Sequence, residues 1–213
     1  MSLEKVEATT DGAGWVPLGN VKATFDLMQL QNGHSAVILP ATTVNAGTYT
    51  QFRITWATVN YQVAISLPAY VFPNGGTGQI LSMPVTTVVS GPVTVPANGN
   101  ATAQIMLSGQ QAVQVRAGGA SPYAFQATGR IYDPAASARI TGHLGEGATA
   151  LPGVEVFAET MDGVGVATIQ RRAFTDASGN YALEGLAMGS LYFVVAQPVV
   201  VITSSYAAMA TGR

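Results

Sequence analysis

The chain has 213 residues, of which 48% are hydrophobic and only 9% are charged, and its formal net charge is −2. This balance argues against nucleic acid and against an anionic membrane surface as the partner, since both require a clustered basic surface. The absence of cysteine excludes disulfides, thiolate metal sites and cysteine nucleophiles. Charge is also unevenly placed, because the 62 consecutive residues from Ile54 to Val115 contain no Asp, Glu, Lys, Arg or His.

The composition favours strands over helices. Val and Thr together are more than twice as numerous as Leu, Glu and Lys together, and β-branched side chains fit a pleated surface. The 24 glycines and 11 prolines supply many turns. We therefore expect an all-β protein of two Greek-key β-sandwich domains, resembling immunoglobulin or prealbumin domains, with at most one short helix.

A hairpin is predicted at the start of the chain. Residues 5–10 and 15–18 read as strands, and the glycine-rich segment 11–14 between them reads as the loop. Asp26 then precedes an apolar segment, residues 27–30, that is followed by Asn32-Gly33. This order predicts one helical turn capped at both ends.

Residues 50–58 give the clearest strand pattern. Phe52, Ile54 and Trp56 alternate with polar residues, so the aromatic residues should face the core and Arg53 should face outward. Turns are predicted at residues 73–76, at Gly91-Pro92 and at residues 96–99. The other strands predicted in this half are residues 36–39, 59–67, 80–83, 86–89, 93–95, 101–107, 113–116 and 123–132.

The best domain boundary is the small, polar, proline-bearing segment 133–138. It separates a domain of residues 1–134 from a second domain of residues 135–213. Short strands with turns between them continue in the second half, which is typical of a small sandwich. These predicted strands are residues 139–144, 154–159, 170–175, 181–183, 191–196 and 199–203.

One local pattern occurs in both halves. Gly47 precedes Tyr49 at the start of one predicted strand, and Gly189 precedes Tyr192 at the start of another. The glycine permits a tight entry, and a tyrosine hydroxyl can bond to nearby backbone at a sandwich corner. The pattern suggests two sandwiches of related type.

The first half resembles a known bacterial family. Gly14-Trp15-Val16-Pro17-Leu18, residues 25–33, and the segment from Ala46 to Ile54 are similar to motifs of the domain-of-unknown-function family 4382. The resemblance covers about residues 4–134, and Ala-Gly-Thr-Tyr-Thr-Gln-Phe-Arg is its most specific part. It implies an exported bacterial lipoprotein or surface protein without an established biochemical activity.

The second half resembles carboxypeptidase-regulatory-like, or prealbumin-like, domains. The similar segments are residues 140–142, 151–156, 175–181, 185–186 and 189–192, and the expected domain spans about residues 138–213. The resemblance implies a sandwich fold with a carbohydrate-binding-like topology. Such a module acts as a spacer, a stabiliser or a binder.

Candidate catalytic groups are few and have simpler interpretations. Glu155 and Glu159 lie on the outward face of one strand, about 13 Å apart at strand spacing, which is too far for a glycosidase pair. Asp26 is explained as a helix cap and Asp133 as a linker residue.

The two histidines and the one oxygen-rich turn do not make a convincing metal site. His34 and His143 lie in different halves and lack zinc-ligand spacing. Residues 175–180 could hold calcium, but a hairpin turn with Asp176 accepting backbone N–H bonds is the simpler interpretation. We expect neither a cofactor nor a metal.

Aromatic residues near a loop tip are the best candidate ligand platform. Tyr70 and Phe72 flank the turn at residues 73–76, and Tyr61 and Tyr123 could contribute. Such rings can stack on sugars, but packing into the core is the favoured interpretation, because aromatic residues on sandwich strands usually face inward. Exposure of Tyr70 and Phe72 on one surface would favour binding.

We therefore expect a non-enzymatic, exported protein of the bacterial cell envelope, located at the outer membrane, in the periplasm or on the cell surface. Its role is structural, adhesive or ligand-presenting; a carbohydrate- or peptide-binding module is the alternative, and a hydrolase is the least favoured. Residues 191–202 are too few to span a bilayer, so membrane attachment would require a lipid anchor that this chain lacks. Uncharged strands invite edge pairing, so residues 54–115 should be covered by the second domain or by another copy of the chain.

Overall fold

The computed structural model describes residues 1–30, 35–61, 69–72, 76–107, 112–116 and 121–197. Their regular structure is almost entirely β-strand, with short 3-10 turns at Leu27–Gln29 and Pro134–Ala136. The all-β prediction is confirmed. The chain divides into two compact units, one of Met1–Leu30 with Ser35–Asp133, and one that continues from Pro134.

The first unit contains two sheets. A six-stranded sheet has the order β2-β1-β3-β6-β10-β7, and a four-stranded sheet has the order β4-β5-β9-β8. The strands are β1 (Ser2–Thr9), β2 (Val16–Thr24), β3 (Gly47–Trp56), β4 (Tyr70–Val71), β5 (Gln79–Ser82), β6 (Thr86–Val95), β7 (Gln104–Leu107), β8 (Val113–Val115), β9 (Tyr123–Phe125) and β10 (Gly129–Tyr132).

The predicted strand around Phe52 is confirmed as β3, the centre of the large sheet. Phe52, Ile54 and Trp56 are buried, as their alternation predicts, because every second side chain of a strand points to the same face. The Trp56 ring meets the ring of Phe125 from the small sheet edge to face, with centroids 5.2 Å apart and planes at 84°. The two sheets of this unit therefore share one core.

The predicted hairpin at the start of the chain is confirmed. β1 and β2 pair antiparallel, and the Asp11 carboxylate accepts hydrogen bonds from the amides of Ala13 and Gly14 at 2.9 and 3.0 Å. The predicted helical turn is confirmed as the 3-10 turn Leu27–Gln29, whose first bond runs from the Gln29 amide to the Asp26 carbonyl oxygen.

The predicted turn at Gly91-Pro92 is wrong. β6 runs without interruption through both residues, and its pairing with β3 shifts register between Tyr49 and Gln51. Gly91 has a φ of 151° and passes so close to β10 that a Cβ there would collide with the Ile131 carbonyl oxygen. The glycine thus allows close packing of two strands and does not reverse the chain.

Two other strand predictions are corrected. Residues 123–132 form two strands, β9 and β10, which belong to different sheets, so the chain crosses from one sheet to the other at residues 126–128. Residues 36–39 are not a strand; Val37 is 88% exposed while Ile38 packs against the core. So short an apolar segment can fill a gap in the core as a loop without pairing.

Several predictions fall outside the described residues. These are the Asn32-Gly33 cap, most of the strand at 59–67, most of the turn at 73–76, and the strand at 199–203. The turn at residues 96–99 is described and confirmed, with the Gly99 amide bonded to the Pro96 carbonyl oxygen at 3.2 Å.

The second unit also consists of short strands. Its sheets have the orders β11-β16, β12-β13 and β15-β14-β17, and its core contains Val156, Ala158, Leu183 and Leu186. The strands are β11 (Ala138–His143), β12 (Gly145–Glu146), β13 (Thr149–Ala150), β14 (Glu155–Met161), β15 (Ala167–Phe174), β16 (Asn180–Leu186) and β17 (Phe193–Gln197).

The predicted tyrosine corners are confirmed in both units. The Tyr49 hydroxyl donates to the Asn45 carbonyl oxygen at 3.0 Å. The Tyr192 hydroxyl donates to the Ala187 carbonyl oxygen at 3.1 Å and accepts a bond from the Ala187 amide at 2.9 Å. Each bond fixes the chain just before a strand of its sheet.

Candidate ligand-binding surface

Tyr70 and Phe72 lie at the edge of the small sheet of the first unit. β4 pairs antiparallel with β5, and Tyr70 is directly opposite Ile80. Leu81, the next residue of β5, is buried in the core, so Tyr70 and Ile80 belong to the opposite, outer face. Phe72 is 64% exposed and Ile80 is 43% exposed, while Tyr70 is half-buried. We call these three residues the aromatic face.

The Phe72 ring is held in place by the absence of a side chain at Gly78. A Cβ at Gly78 would lie 2.8 Å from Cε1 of Phe72, so the ring rests directly on the glycine backbone. The other side of the ring faces solvent. Because the ring is supported in this way, the side chain has little conformational entropy left to lose when a ligand binds.

The three residues of the aromatic face belong to a chain segment without charged side chains. This segment, from Ile54 to Val115, contains no Asp, Glu, Lys, Arg or His. Beside the aromatic face the Ser121 hydroxyl bonds to the carbonyl oxygens of Ile80 and Tyr123. The face therefore combines apolar contact area with neutral hydrogen-bonding groups.

The other two predicted platform residues lie elsewhere. Tyr123 packs against the core shared by the two sheets of its unit. Tyr61 donates its hydroxyl hydrogen bond to the Glu4 carboxylate, and this bond raises the pKa of Tyr61. Its backbone amide also donates to Thr24 Oγ1 at 3.0 Å. Neither tyrosine joins the aromatic face.

A charged cluster on the outer face of the large sheet was not predicted. The Arg53 Nε atom lies 2.8 Å from Glu7 Oε2, and Lys5 Nζ lies 3.2 Å from Glu7 Oε1. The hydrogen bond from Arg53 is the main cause that lowers the pKa of Glu7. The outward position of Arg53 was predictable, but its partner comes from β1, so only the strand register identifies it.

The acidic and histidine candidates of the second unit have separate surroundings in the described part of the chain. Glu155 pairs with Arg172 at 3.0 Å, and Glu159 lies opposite Phe193 in the same sheet. His143 is exposed at the end of β11, while His34 lies outside the described residues. Among the described residues, no three His, Asp or Glu side chains lie together in a group that could hold a metal ion.

The turn around Asp176 takes the predicted form. The Asp176 carboxylate accepts hydrogen bonds from the amides of Ser178 and Asn180 at 2.8 and 2.9 Å, and Gly179 has a φ of 76°. The amide of Asn180 is the largest cause that lowers the pKa of Asp176. The hairpin turn therefore accounts for these oxygen atoms.

The two adjacent arginines diverge as expected for neighbours on a strand. Arg171 donates from Nε to the Glu184 carbonyl oxygen at 2.7 Å, towards β16. Arg172 lies over the Phe157 ring at 4.9 Å and pairs with Glu155. They do not form a clamp for one anion.

Comparison with known families identifies the first unit. The family model described as "Domain of unknown function (DUF4382)" matches residues 2–126, more than half of the chain. The chain belongs to this family. No curated protein and no solved structure matches it.

Residues in the DUF4382 region that resemble the family's motifs meet in the structure at the β1–β2 loop. Arg53 stacks on Trp15 at 4.4 Å, and a Cβ at Gly12 would lie 3.4 Å from Oε1 of Gln51. These side chains pin the loop to β3. These contacts serve to hold the loop in place. The aromatic face therefore remains the best candidate for ligand binding.

Proposed function

We propose that this chain is a non-enzymatic, adhesive or ligand-presenting module of an exported bacterial envelope protein, and that its aromatic face binds neutral carbohydrate. The observation that supports this proposal is the exposure of Phe72 and Ile80 on one face, next to Tyr70. Large apolar side chains exposed together on a surface are typical of interaction sites.

The chemistry of the aromatic face suits a sugar. A pyranose ring has an apolar side formed by C–H groups, which can stack on Phe72 and Tyr70, while its hydroxyl groups face neutral donors and acceptors. A charged glycan would find no counter-charge on the side chains of this segment, and it would lose part of its hydration. The preferred ligand is therefore a neutral polysaccharide.

The second unit is proposed to be a carboxypeptidase-regulatory-like module that acts as a spacer or stabiliser. Its sandwich strands, its tyrosine corner and the Asp176 turn support this assignment. Among the described residues, no helix is long and apolar enough to cross a membrane. We propose attachment through a lipid anchor on the natural protein, and fractionation of the native bacterium tests it: recovery in the cytosol would contradict export.

Affinity electrophoresis in gels that contain neutral or anionic polysaccharides tests the carbohydrate proposal. Laminarin, xylan and a glucomannan serve as neutral probes, and alginate serves as the anionic probe. We expect retardation by at least one neutral probe and none by alginate. Phe72→Ala should weaken the interaction at least tenfold, since a fully buried aromatic contact contributes about 1.5–3 kcal/mol.

Val37→Ala is the matched control, because Val37 is 88% exposed in the same unit but lies in a loop outside both sheets. It should leave the retardation unchanged. Absence of retardation by all neutral probes, or equal retardation of the wild-type and Phe72→Ala proteins, would overturn the carbohydrate proposal.

A further inference from the structure

The exposed large hydrophobic side chains of the second unit lie at one end of its three-stranded sheet. β14 lies between β15 and β17, and Glu159 of β14 has Ile169 on one side and Phe193 on the other. The turn from β14 to β15, residues 162–166, and the loop before β17, residues 187–192, therefore emerge from the same end of the sheet. We call this end the apolar tip. Its exposed large side chains include Met161, Val164, Val166, Met188, Leu191 and Phe193.

The most exposed side chains of the apolar tip stand out from the protein surface. Val164, in the turn, is 85% exposed, and Leu191, in the neighbouring loop, is 79% exposed. Side chains with so much exposed surface touch few protein atoms, so they form a convex surface and do not line a groove. Large apolar side chains exposed together are typical of a surface that contacts a protein or a membrane.

The turn at residues 162–166 satisfies most of its own amide groups. The Asp162 amide donates to the Val166 carbonyl oxygen, and the Gly165 amide donates to the Asp162 carbonyl oxygen, both at 3.1 Å. The Asp162 carboxylate accepts hydrogen bonds from the amides of Val164 and Val166 at 3.0 and 2.8 Å. An amide without a partner costs free energy when it leaves water for hydrocarbon. This turn can therefore approach hydrocarbon at a lower cost than a loop whose amides bond only to water.

The same hydrogen bonds favour lipid over protein as the partner. Protein interfaces usually contain roughly one hydrogen bond per 100–200 Å². Four amides of the turn, those of residues 162, 164, 165 and 166, are already used within it, so the turn offers few donors to another protein. Fluid hydrocarbon forms no hydrogen bonds and adapts to a convex surface, whereas a protein would need a pocket of matching shape for each loop.

The charges of the apolar tip indicate the kind of lipid. Residues 159–169 and 187–193 contain Glu159 and Asp162 but no Lys, Arg or His. Anionic lipids attract basic side chains and repel carboxylates, so an anionic bilayer would bind this tip less well than a zwitterionic one. We propose that the apolar tip inserts the apolar side chains of its two loops into the surface of a zwitterionic lipid bilayer.

This contact is independent of the carbohydrate proposal, because it involves the other unit of the chain and a different surface. It would add to the lipid anchor proposed above, since stable attachment to a membrane usually requires a second contact besides a single lipid chain. The chain without an anchor is sufficient to test it.

Flotation of the whole chain with lipid vesicles in a density gradient tests the proposal. We expect the protein to float with phosphatidylcholine vesicles, and less of it to float when phosphatidylglycerol is added to the same vesicles. Val164→Ser and Leu191→Ser should each lower the partition coefficient at least fivefold, because each removes apolar surface that the bilayer would bury. Val164→Leu, which keeps the side chain apolar, should bind at least as tightly as the wild-type protein.

Val115→Ser is the matched control, because Val115 is 78% exposed in the first unit. It should leave flotation unchanged, and so should Phe72→Ala, which separates the apolar tip from the aromatic face. Circular dichroism checks that each variant is folded, which is expected because the substituted side chains are exposed.

A fluorescent label gives an independent measurement of insertion. The chain contains no cysteine, so Val164→Cys and Val115→Cys each allow one environment-sensitive fluorophore to be attached at a single position. Emission from the label at position 164 should shift to shorter wavelength when phosphatidylcholine vesicles are added. Emission from the label at position 115 should not shift.

Four outcomes would overturn the proposal. The protein might not float with phosphatidylcholine vesicles, or it might float only when anionic lipid is present. Val164→Ser and Leu191→Ser might float as well as the wild-type protein. The last outcome is a dimer in analytical ultracentrifugation that these two substitutions disrupt, because a second copy of the chain would then cover the apolar tip.

Discussion

The guanidinium group of Arg53 lies 4.4 Å from the centroid of the Trp15 ring and donates a hydrogen bond to Glu7 at 2.8 Å. Glu7 is buried, with 7% of its surface exposed, on the neighbouring strand. A single side chain thus holds the β1–β2 loop through Trp15 and neutralises a buried carboxylate. Loss of Arg53 should therefore destabilise the first unit.

Arg53→Ala should lower the free energy of unfolding by about 1.5–3 kcal/mol, which is typical of a hydrogen bond to a charged group. Glu7 would retain Lys5 as a partner, so the first unit should still fold. Urea denaturation followed by circular dichroism measures the change. Arg116→Ala, at an exposed arginine of the same unit, is the control and should change stability by less than about 0.5 kcal/mol. Equal effects of the two substitutions would contradict the role assigned to Arg53.

Removing the hydroxyl group of either corner tyrosine should lower the stability of the protein while the ring still fills its place. Tyr49→Phe should lower the free energy of unfolding by about 0.5–1.5 kcal/mol, because it removes one hydrogen bond to backbone. Tyr192→Phe removes two such bonds and should cost at least as much. The control is Tyr123→Phe, since the Tyr123 hydroxyl forms no hydrogen bond with the residues that the structure describes. Thermal unfolding of the three variants distinguishes them; a Tyr123→Phe loss as large as the other two would argue against the corner bonds.

The β1–β2 loop should make the carboxyl group of Asp11 unusually acidic. Hydrogen bonds from the amides of Ala13 and Gly14, and then from the Thr9 hydroxyl, lower the pKa of Asp11 to about 2. Because the pKa is lower in the folded protein, the resulting stabilisation is present above about pH 3.8 and is lost as the pH falls towards 2. Titration of the Asp11 carboxyl carbon by NMR should show the low midpoint.

Thr9→Val tests the contribution of the hydroxyl to this pKa. It removes one of the bonds to the carboxylate at nearly constant volume, so the Asp11 midpoint should move upward towards its ordinary value. A midpoint near 3.8 in the wild-type protein would show that the loop bonds are not formed in solution.

Adding one methyl group at Gly91 should strongly destabilise the first unit. In Gly91→Ala the new Cβ would collide with the Ile131 carbonyl oxygen, and the φ of 151° is strained for a residue with a side chain. We expect a loss of about 2–4 kcal/mol, combining backbone strain with overpacking. Gly163→Ala is the control, because a Cβ there meets nothing within 4 Å; it should be nearly neutral in urea denaturation.

The strands and most turns could be predicted from local pattern. Alternation around Phe52 located β3, the glycine-rich loop located the first hairpin, and the residues around Asp176 located a hairpin turn. These features depend on neighbours in the chain, since strand periodicity and turn chemistry act over a few residues. The family resemblance of the first half has the same basis, and the family match confirms it.

The candidate sites could be predicted only in part. Tyr70 and Phe72 were identified from their place beside a turn, but Tyr61 bonds to Glu4 and Tyr123 packs into the core. Which aromatic rings share a face depends on strands that are distant in sequence.

The composition alone is sufficient to predict an all-β chain, because β-branched residues favour strands, and glycine and proline favour turns, at whatever position they occur. Alternation within each strand also sets which residues can be buried together. Pairing partners, register and close approach are decided by the folded chain, as Gly91 illustrates: a residue that reads locally as a turn lies inside a strand because β10 passes against it. The reason is that contacts between strands join residues many positions apart, and no local preference encodes which of them will meet.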